Sequence, residues 1–291
     1  RSAVKKFGAL FRAKTFPQKI IGLANFRPSD FSPEIGLKLG LSDTLCDKNM
    51  GETAEILARE FNITRKQQDS FADLSHKKAL LAMDNLLADE VCPVYLTHDN
   101  CVRSPNGTYV DKDNGPRENS SAESLSRLRP VFDRKNGTVT AGNSSGINDG
   151  AAALVLMTED EAMRRGIMPR ARIVSWAQAG VDPAIMGTGP IPASRMALER
   201  AGWSIEDLEL IEANEAFAAQ ALHVIRELNL DESITNVNGS GISLGHPLGA
   251  TGAIMVIKLM YELERRDTQF GLATLCVGGG QGVATIFERL N

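Results

Sequence analysis

Three side chains of this 291-residue chain combine reactive groups with a placement that could use them: His246, Cys276 and Asn214. His246 lies in Asn238-Gly-Ser-Gly-Ile-Ser-Leu-Gly-His-Pro-Leu-Gly-Ala-Thr-Gly-Ala253. Five glycines within these sixteen residues allow sharp turns and close approach to a ligand. A strand-like run, Ile234 to Val237, precedes the stretch, and an apolar, helix-like run from Ala250 to Leu263 follows it. Pro247 suits the first turn of that helix. An imidazole at a helix N-terminus feels the positive end of the dipole, which favours its neutral form. Neutral imidazole acts as a base or donates a hydrogen bond to a developing oxyanion. The competing reading is a glycine-rich structural turn whose histidine caps the helix.

Cys276 ends the strand-like run that starts at Gly271 and precedes Val-Gly-Gly-Gly-Gln-Gly282. Asn214 follows the strand-like run Leu208 to Ala213 and opens Asn214-Glu-Ala-Phe-Ala218, at the start of a helix reaching about Leu228. A plain N-cap is the structural role open to Asn214. Sites in α/β sheets gather at the carboxyl ends of strands, so these three junctions can converge.

Composition narrows the classes. At 291 residues the chain can hold one large α/β domain or two smaller ones. A hydrophobic share of 43% with 26 glycines fits a globular enzyme of cytoplasmic type rather than a disordered or fibrous chain. A net charge of −4 gives no sign of nucleic acid as partner. No apolar run has the length of a membrane span, and the N-terminal residues do not read as a signal peptide. Cys46, Cys92, Cys101 and Cys276 show neither metal-ligand nor disulfide spacing, so free thiols in a reducing compartment are expected.

The positioning elements read as follows. Residues 1–49 look irregular, a basic and Phe/Pro-punctuated excursion over a surface. A helix runs from about Met50 to Phe61, and a second starts at Thr64 through the capping box Thr64-x-x-Gln67. His76, in Ser-His-Lys-Lys, is expected to be solvated. Val91 to Leu96 reads as a strand and residues 97–126 as a long polar loop. Arg127 to Phe132 pairs cations with an aromatic ring, which suits a nucleotide or a solvated face. Gly137 to Thr140 reads as a strand running into a small-residue loop that opens a helix, and Thr158-Glu-Asp-Glu161 caps a helix ending at Gly166. Arg170 to Ala177 begins a new unit, followed by a helix from Ile191 that stops at Gly202, and Val283 to Glu288 is the last strand.

The residues Asn214-Glu-Ala-Phe-Ala218, Asn236 to Gly252 and Leu272-Ala-Thr-Leu-Cys-Val-Gly-Gly-Gly280 resemble three successive signatures of the thiolase family, in that family's order. Met50-Gly-Glu-Thr-Ala-Glu55, Val139 to Gly146 and Gly187-Thr-Gly-Pro-Ile-Pro-Ala193 are also similar to acetyl-CoA acetyltransferases. The resemblance is essentially continuous from about Met50 to Asn291, and the first 49 residues match poorly. It implies an α/β, layered αβαβα fold whose first half is incomplete. The implied divisions are a loop or lid domain over 1–136, the tail of the N-terminal half over 137–168 and the C-terminal half over 169–291.

The implied reaction is CoA-dependent thiolysis of a 3-ketoacyl-CoA, or the reverse condensation of acetyl-CoA. The alternatives are an inactive CoA- or lipid-binding protein and a dimerisation fragment. By resemblance, His246 is the base toward a nucleophilic cysteine and an oxyanion donor, and Asn214 holds a water that completes the oxyanion hole. Cys276 is the acid/base at carbon, and the Gly278 N–H serves a second oxyanion hole. Ser145, Ala141 and Gly146 line the pantetheine channel, with Met50 and Phe132 along its wall. Arg117 and Arg127 are phosphate contacts. Asn49 stands where the family has a histidine. Coenzyme A and acyl-CoA enter as substrates, with no permanently bound cofactor and no metal, and the implied assembly is a homodimer or homotetramer.

The family's nucleophilic cysteine opens a helix from a glycine-rich stretch that lowers its pKa, and no cysteine here has that context. A chain shortened at its N-terminus is therefore expected, with residues 138–140 left as an unpaired, apolar sheet edge that makes the isolated chain prone to aggregate.

Overall fold

The computed structural model describes residues 2–31, 36–95 and 109–290. Cys101 and the first part of the polar loop expected over 97–126, residues 97–108, fall outside them. The chain forms two compact units, Arg1–Ser42 and Asp43–Asn291. In the first, α1 (Ser2–Arg12) and α2 (Phe16–Ala24) make a helical hairpin, followed by the single-turn α3 (Gly36–Gly40). The hairpin turn is closed by the Thr15 N–H, which donates to Gln18 Oε1 at 3.2 Å. The rings of Phe7, Phe26 and Phe31 cluster, with Phe7 and Phe26 centroids 4.8 Å apart. Lys6 Nζ donates to the Asn25 carbonyl at 2.7 Å and to Asp30. The expected irregular excursion is thus corrected. Phe7, Leu10 and Phe11 recur at i, i+3 and i+4, a helical period hidden by the Phe/Pro punctuation further on.

In the second unit the short strands β1 (Ser42–Asp43) and β2 (Lys48–Asn49) lead into α4 (Met50–Glu60) and α5 (Arg65–Asp89). Asn49 caps α4 by accepting the Gly51 N–H at 3.1 Å while Glu52 accepts the Asn49 N–H at 2.6 Å. At α5 the Thr64 N–H donates to Gln67 at 2.9 Å, the capping box read from sequence. Val94–Tyr95 (β3) pairs antiparallel with Tyr109–Val110 (β4), and α6 (Ala122–Ser126) and α7 (Glu159–Arg165) follow.

The main sheet joins β5 (Ala171–Gly180), β6 (Leu210–Ala213), β7 (Phe270–Val277) and β8 (Gln281–Arg289) in the order β5-β8-β7-β6. β6 and β7 run parallel, and the other pairs are antiparallel. Alternation along the strands feeds two cores. Ile211, Leu272 and Ile286 face α8 (Pro190–Ala201) and α9 (Ala218–Leu228) through Ala197, Leu198, Val224 and Ile225. Leu210, Ala273 and Phe287 face the other way, onto Met255, Leu259 and Leu263 of α11 (Thr251–Arg266), which follows the four-residue α10 (Gly241–Leu244). Helices therefore cover both faces of the sheet, a layered α/β architecture. Each fully buried Leu or Ile in these layers contributes roughly 1.5–3 kcal/mol of transfer free energy.

Two expected strands do not form. Ile234 to Val237 contributes only one parallel bridge, Thr235 to Ile211. Gly137 to Thr140 is not a strand and no helix opens after it until Glu159. Residues 138–140 are not an unpaired edge either, because side chains replace a ladder. The buried Glu55 carboxylate accepts the Thr138 N–H at 2.9 Å and the Val139 N–H at 2.9 Å, and Asn143 Oδ1 accepts the Thr140 N–H at 2.8 Å. Glu55→Ala would leave two backbone donors unmet beside a new cavity. We expect a loss of about 3 kcal/mol in urea unfolding. A loss below about 0.5 kcal/mol would mean that water replaces the carboxylate at no cost.

Candidate active site

The turn between β7 and β8 places Cys276 and Gly278 at one end of the sheet, where Cys276 pairs with Gly282. Gly280 has φ +77°, and a Cβ there would stand 2.2 Å from the Val181 carbonyl oxygen, so this turn excludes a side chain. The buried Asp43 anchors it from β1: Oδ2 accepts the Gly279 N–H at 2.6 Å and Oδ1 the Leu45 N–H at 2.8 Å. Hydrogen bonds from backbone N–H groups, that of Leu45 first, hold its carboxyl below the usual carboxylate range.

The Cys276 thiol packs among Met50, Met186, Ala216 and Phe217. Burial in this apolar setting pushes its pKa up to about 12. Gly278 shares the neighbourhood: a Cβ there would lie 3.9 Å from Met50 Sδ. Phe132 meets Phe217 edge-on at 6.4 Å. Cys276, Gly278, Met50 and Phe132 therefore belong to one cluster.

Asn214 leaves β6 and does not cap α9. The helix begins at Ala218 after Phe217, and the Asn214 side chain is 2% exposed with neither Oδ1 nor Nδ2 hydrogen-bonded to the protein. An amide buried without a partner costs about 1–3 kcal/mol, and the N-cap expectation is corrected to an unpartnered buried amide. It faces the glycine loop, where a Cβ at Gly241 would stand 2.9 Å from Asn214 Oδ1.

That loop carries His246, which is half-buried. Pro247 does not open the following helix. α11 starts at Thr251, whose Oγ1 lies 2.7 Å from His246 Nδ1. This contact orients the ring and leaves Nε2 as the free nitrogen. Burial, rather than the helix dipole, lowers the His246 pKa below its usual value near 6.5. The His246 N–H donates to the Gly146 carbonyl at 3.2 Å, and the Ser145 N–H donates to the Ala216 carbonyl at 3.0 Å. The loop from Ala141 to Gly146 thus links the histidine to the segment that packs on Cys276.

Behind the loop lies the fully buried Glu215, which burial pushes above the usual carboxylate range. Ser75 Oγ donates to its Oε2 at 2.6 Å and Asn236 Nδ2 to its Oε1 at 2.9 Å. Ser75 also meets Ser243 at 2.8 Å, so α5, β6 and the glycine loop share one buried polar network.

Beside the loop opens a cavity of about 250 Å³, walled by His76, Arg117, Ala141, Gly146, Ser243 and Gly245 among others. Gly245 has φ +106°, and a Cβ there would meet Asn148 Oδ1 at 2.5 Å. Arg117 stands in this wall. Arg127 does not: it is exposed and paired with Glu123 within one turn of helix. Ser144, rather than Ser145, lines the cavity. His76 is not solvated but 4% exposed, and its Nδ1 accepts the Arg117 N–H at 3.3 Å. Desolvation first, then the nearby Arg117 charge, lowers its pKa. Its inward position is legible from the buried Ala72 and Ala79, four residues before and three after it. Asp43 and Asn148 carry no comparable signal in their neighbouring residues.

Residues 27–160 match the family described as "Thiolase, N-terminal domain", and residues 167–289 match "Thiolase, C-terminal domain". The first match begins upstream of the Met50 from which the motifs were continuous. The chain is 56% identical over 256 residues to an acetyl-CoA acetyltransferase of Rhizobium meliloti, covering 87% of this chain and 63% of that protein. It is 50% identical over 258 residues to beta-ketothiolase BktB of Cupriavidus necator, covering 88% and 64%. Among solved structures, the Bacillus anthracis acetyl-CoA acetyltransferase superposes with a TM-score of 0.82 at 48% identity, covering 88% of this chain and 64% of that one. Human mitochondrial 3-ketoacyl-CoA thiolase gives 0.80 at 38%, covering 92% and 67%. The chain spans 63–64% of the length of the curated relatives it matches.

Proposed function

The chain belongs to the thiolase family, and on that footing we propose that it is an acyltransferase of coenzyme A thioesters. The proposed reaction is CoA-dependent thiolysis of a 3-ketoacyl-CoA, or the reverse condensation of acetyl-CoA to acetoacetyl-CoA. The observation that carries this reading is the buried, unpartnered Asn214 amide at the end of β6, next to the strand β7 that ends in Cys276 and facing the glycine loop that carries the oriented His246. A carbon–carbon bond between two thioesters breaks or forms through an enolate, which needs fixed hydrogen-bond donors and a proton carrier.

In cleavage the bond between C2 and C3 breaks, the acyl group passes to the thiolate of a nucleophilic cysteine other than the four of this chain and from it to the sulfur of coenzyme A, and the electron pair left on C2 takes the Cys276 proton. In condensation Cys276 takes a proton from the methyl carbon of acetyl-CoA. In this reading His246 Nε2 and a water held by Asn214 donate to the enolate oxygen, and the Gly278 N–H donates to the thioester oxygen of the acyl-enzyme. His246 in its other tautomer is the base toward the acyl-accepting thiol. A Cys276 pKa near 12 keeps the free thiol protonated, the state from which cleavage starts. Arg117, Ala141 and Gly146 on the cavity wall are our candidates for CoA contacts, with Met50 and Phe132 on the thiol side. Ser145 and Arg127 remain candidates only if a bound ligand draws them in.

The change of family match between residues 160 and 167 supports a boundary near 169, with residues 1–136 as a loop or lid domain and 137–168 as the tail of the first half. Cys46, Cys92 and Cys276 are free thiols, which supports a reducing compartment such as the cytoplasm. A homodimer or homotetramer belongs to this reading. Among the described residues no helix is long and apolar enough to cross a membrane.

The test is acetoacetyl-CoA cleavage by this chain with CoA present, followed by peptide mapping of the acylated thiol. Acetyl-CoA formation is expected when a thiolase segment carrying the nucleophilic cysteine is supplied together with this chain. CoA binding without turnover would replace this reading by that of a non-catalytic CoA-binding protein.

A further inference from the structure

We propose that the hairpin of α1 and α2 is a membrane-surface anchor that adsorbs to anionic lipid bilayers. The inference is independent of the acyltransferase reading. Eight of the 32 Lys and Arg but only two of the 36 Asp and Glu fall within residues 1–42, a net charge of +6 on a chain that totals −4. The rest of the chain, at −10, would be repelled by an anionic surface, so attraction has to come from this segment. Asp30 is the one carboxylate between residues 2 and 31, and it is held inside the hairpin by Lys6 and by the Arg27 N–H at 2.6 Å.

Four large apolar side chains point outward while Phe7, Leu10 and Phe26 pack within the hairpin. Phe11 is 86% exposed, Phe16 76%, Ile21 62% and Leu23 59%, and α2 has no buried residue. Phe11 and Phe16 flank the hairpin turn together with the exposed Arg12, Lys14 and Lys19. Along α1, Phe7, Leu10 and Phe11 share one face while Lys5 and Arg12, seven apart, share the opposite one. Along α2, Phe16, Ile20 and Leu23 recur at i, i+4 and i+7. Rings and branched aliphatics under a rim of cations match the boundary between headgroups and acyl chains, where lysine stems lie in the apolar layer and their ammonium groups reach phosphate. A nucleic acid offers the same phosphates, but Ile20, Ile21 and Leu23 have nothing to stack on a base. At eleven and nine residues neither helix can span a bilayer, so the hairpin lies in the surface.

The experiment is co-sedimentation of the whole chain with phosphatidylcholine vesicles, with and without phosphatidylserine. Binding is expected to be roughly tenfold tighter with phosphatidylserine and to weaken as salt is raised. The double variant Phe11→Ser, Phe16→Ser should lose roughly tenfold or more in affinity with unchanged circular dichroism, because both side chains are exposed. Lys14→Glu with Lys19→Glu should abolish the preference for the anionic lipid. Equal binding to both vesicle types, no binding, or displacement from vesicles by a single-stranded oligonucleotide would each overturn the proposal.

Discussion

Cys276→Ala is expected to slow exchange of the α-proton of acyl-CoA in deuterium oxide, and acetoacetyl-CoA cleavage with it, by roughly 10²–10⁴-fold. The reason is geometric and electrostatic together. The thiol stands at a strand end beside a glycine turn that Asp43 and Gly280 hold in shape. Its surroundings are Met50, Met186, Ala216 and Phe217, which offer no charge to stabilise a thiolate before substrate arrives. A group with a pKa near 12 is a poor spontaneous nucleophile and a dependable proton donor. Two readouts separate this role from packing. CoA affinity should stay unchanged, because the side chain is not in the cavity wall. Iodoacetamide should modify the exposed Cys92 well before Cys276 at pH 8. An exchange rate within about twofold of the parent would reduce Cys276 to a filler of the apolar cluster.

His246→Ala is expected to cost roughly 10²–10³-fold in acetoacetyl-CoA cleavage, the range for loss of one oxyanion donor. Thr251→Val should cost less, since it keeps the ring but removes the partner that orients Nδ1. The pH dependence follows from the sign of the shift. Burial lowers the His246 pKa from about 6.5, so the imidazole is neutral at pH 7 and stays neutral somewhat below 6.5. Protonation at lower pH would occupy Nε2 and remove the base. The acid limb of the activity profile should therefore fall below pH 6.5. It should be missing from the residual activity of His246→Ala. An acid limb at or above pH 6.5 in the parent would contradict the burial argument.

The helical parts of the second unit were legible because their signals are local. The caps at Thr64 and Thr158, the left-handed glycine at 202 and the apolar run of α11 all act within a few residues of one another. The strand ends before Asn214 and at Cys276 were legible for a related reason: an apolar run broken by small or polar residues leaves a local pattern even when the partners are distant. Pairing was not legible. Gly137 to Thr140 has a strand's composition, yet the N–H groups of Thr138 and Val139 go to Glu55, more than eighty residues earlier, and that of Thr140 to Asn143. A carboxylate can end a ladder only where the fold delivers it, and no local pattern announces that.

The sequence by itself determined the family, the layered α/β class and the identities of the groups able to carry acyl-CoA chemistry, because these depend on residue types in order along the chain. Tertiary structure alone decided their states. It left Asn214 without a partner instead of capping a helix, and it turned His76 from solvent into the wall of a cavity beside Arg117. It raised Cys276 and lowered His246 by burial. Each of these depends on what lies across the fold from a residue, and desolvation and hydrogen bonding are properties of that assembled surrounding.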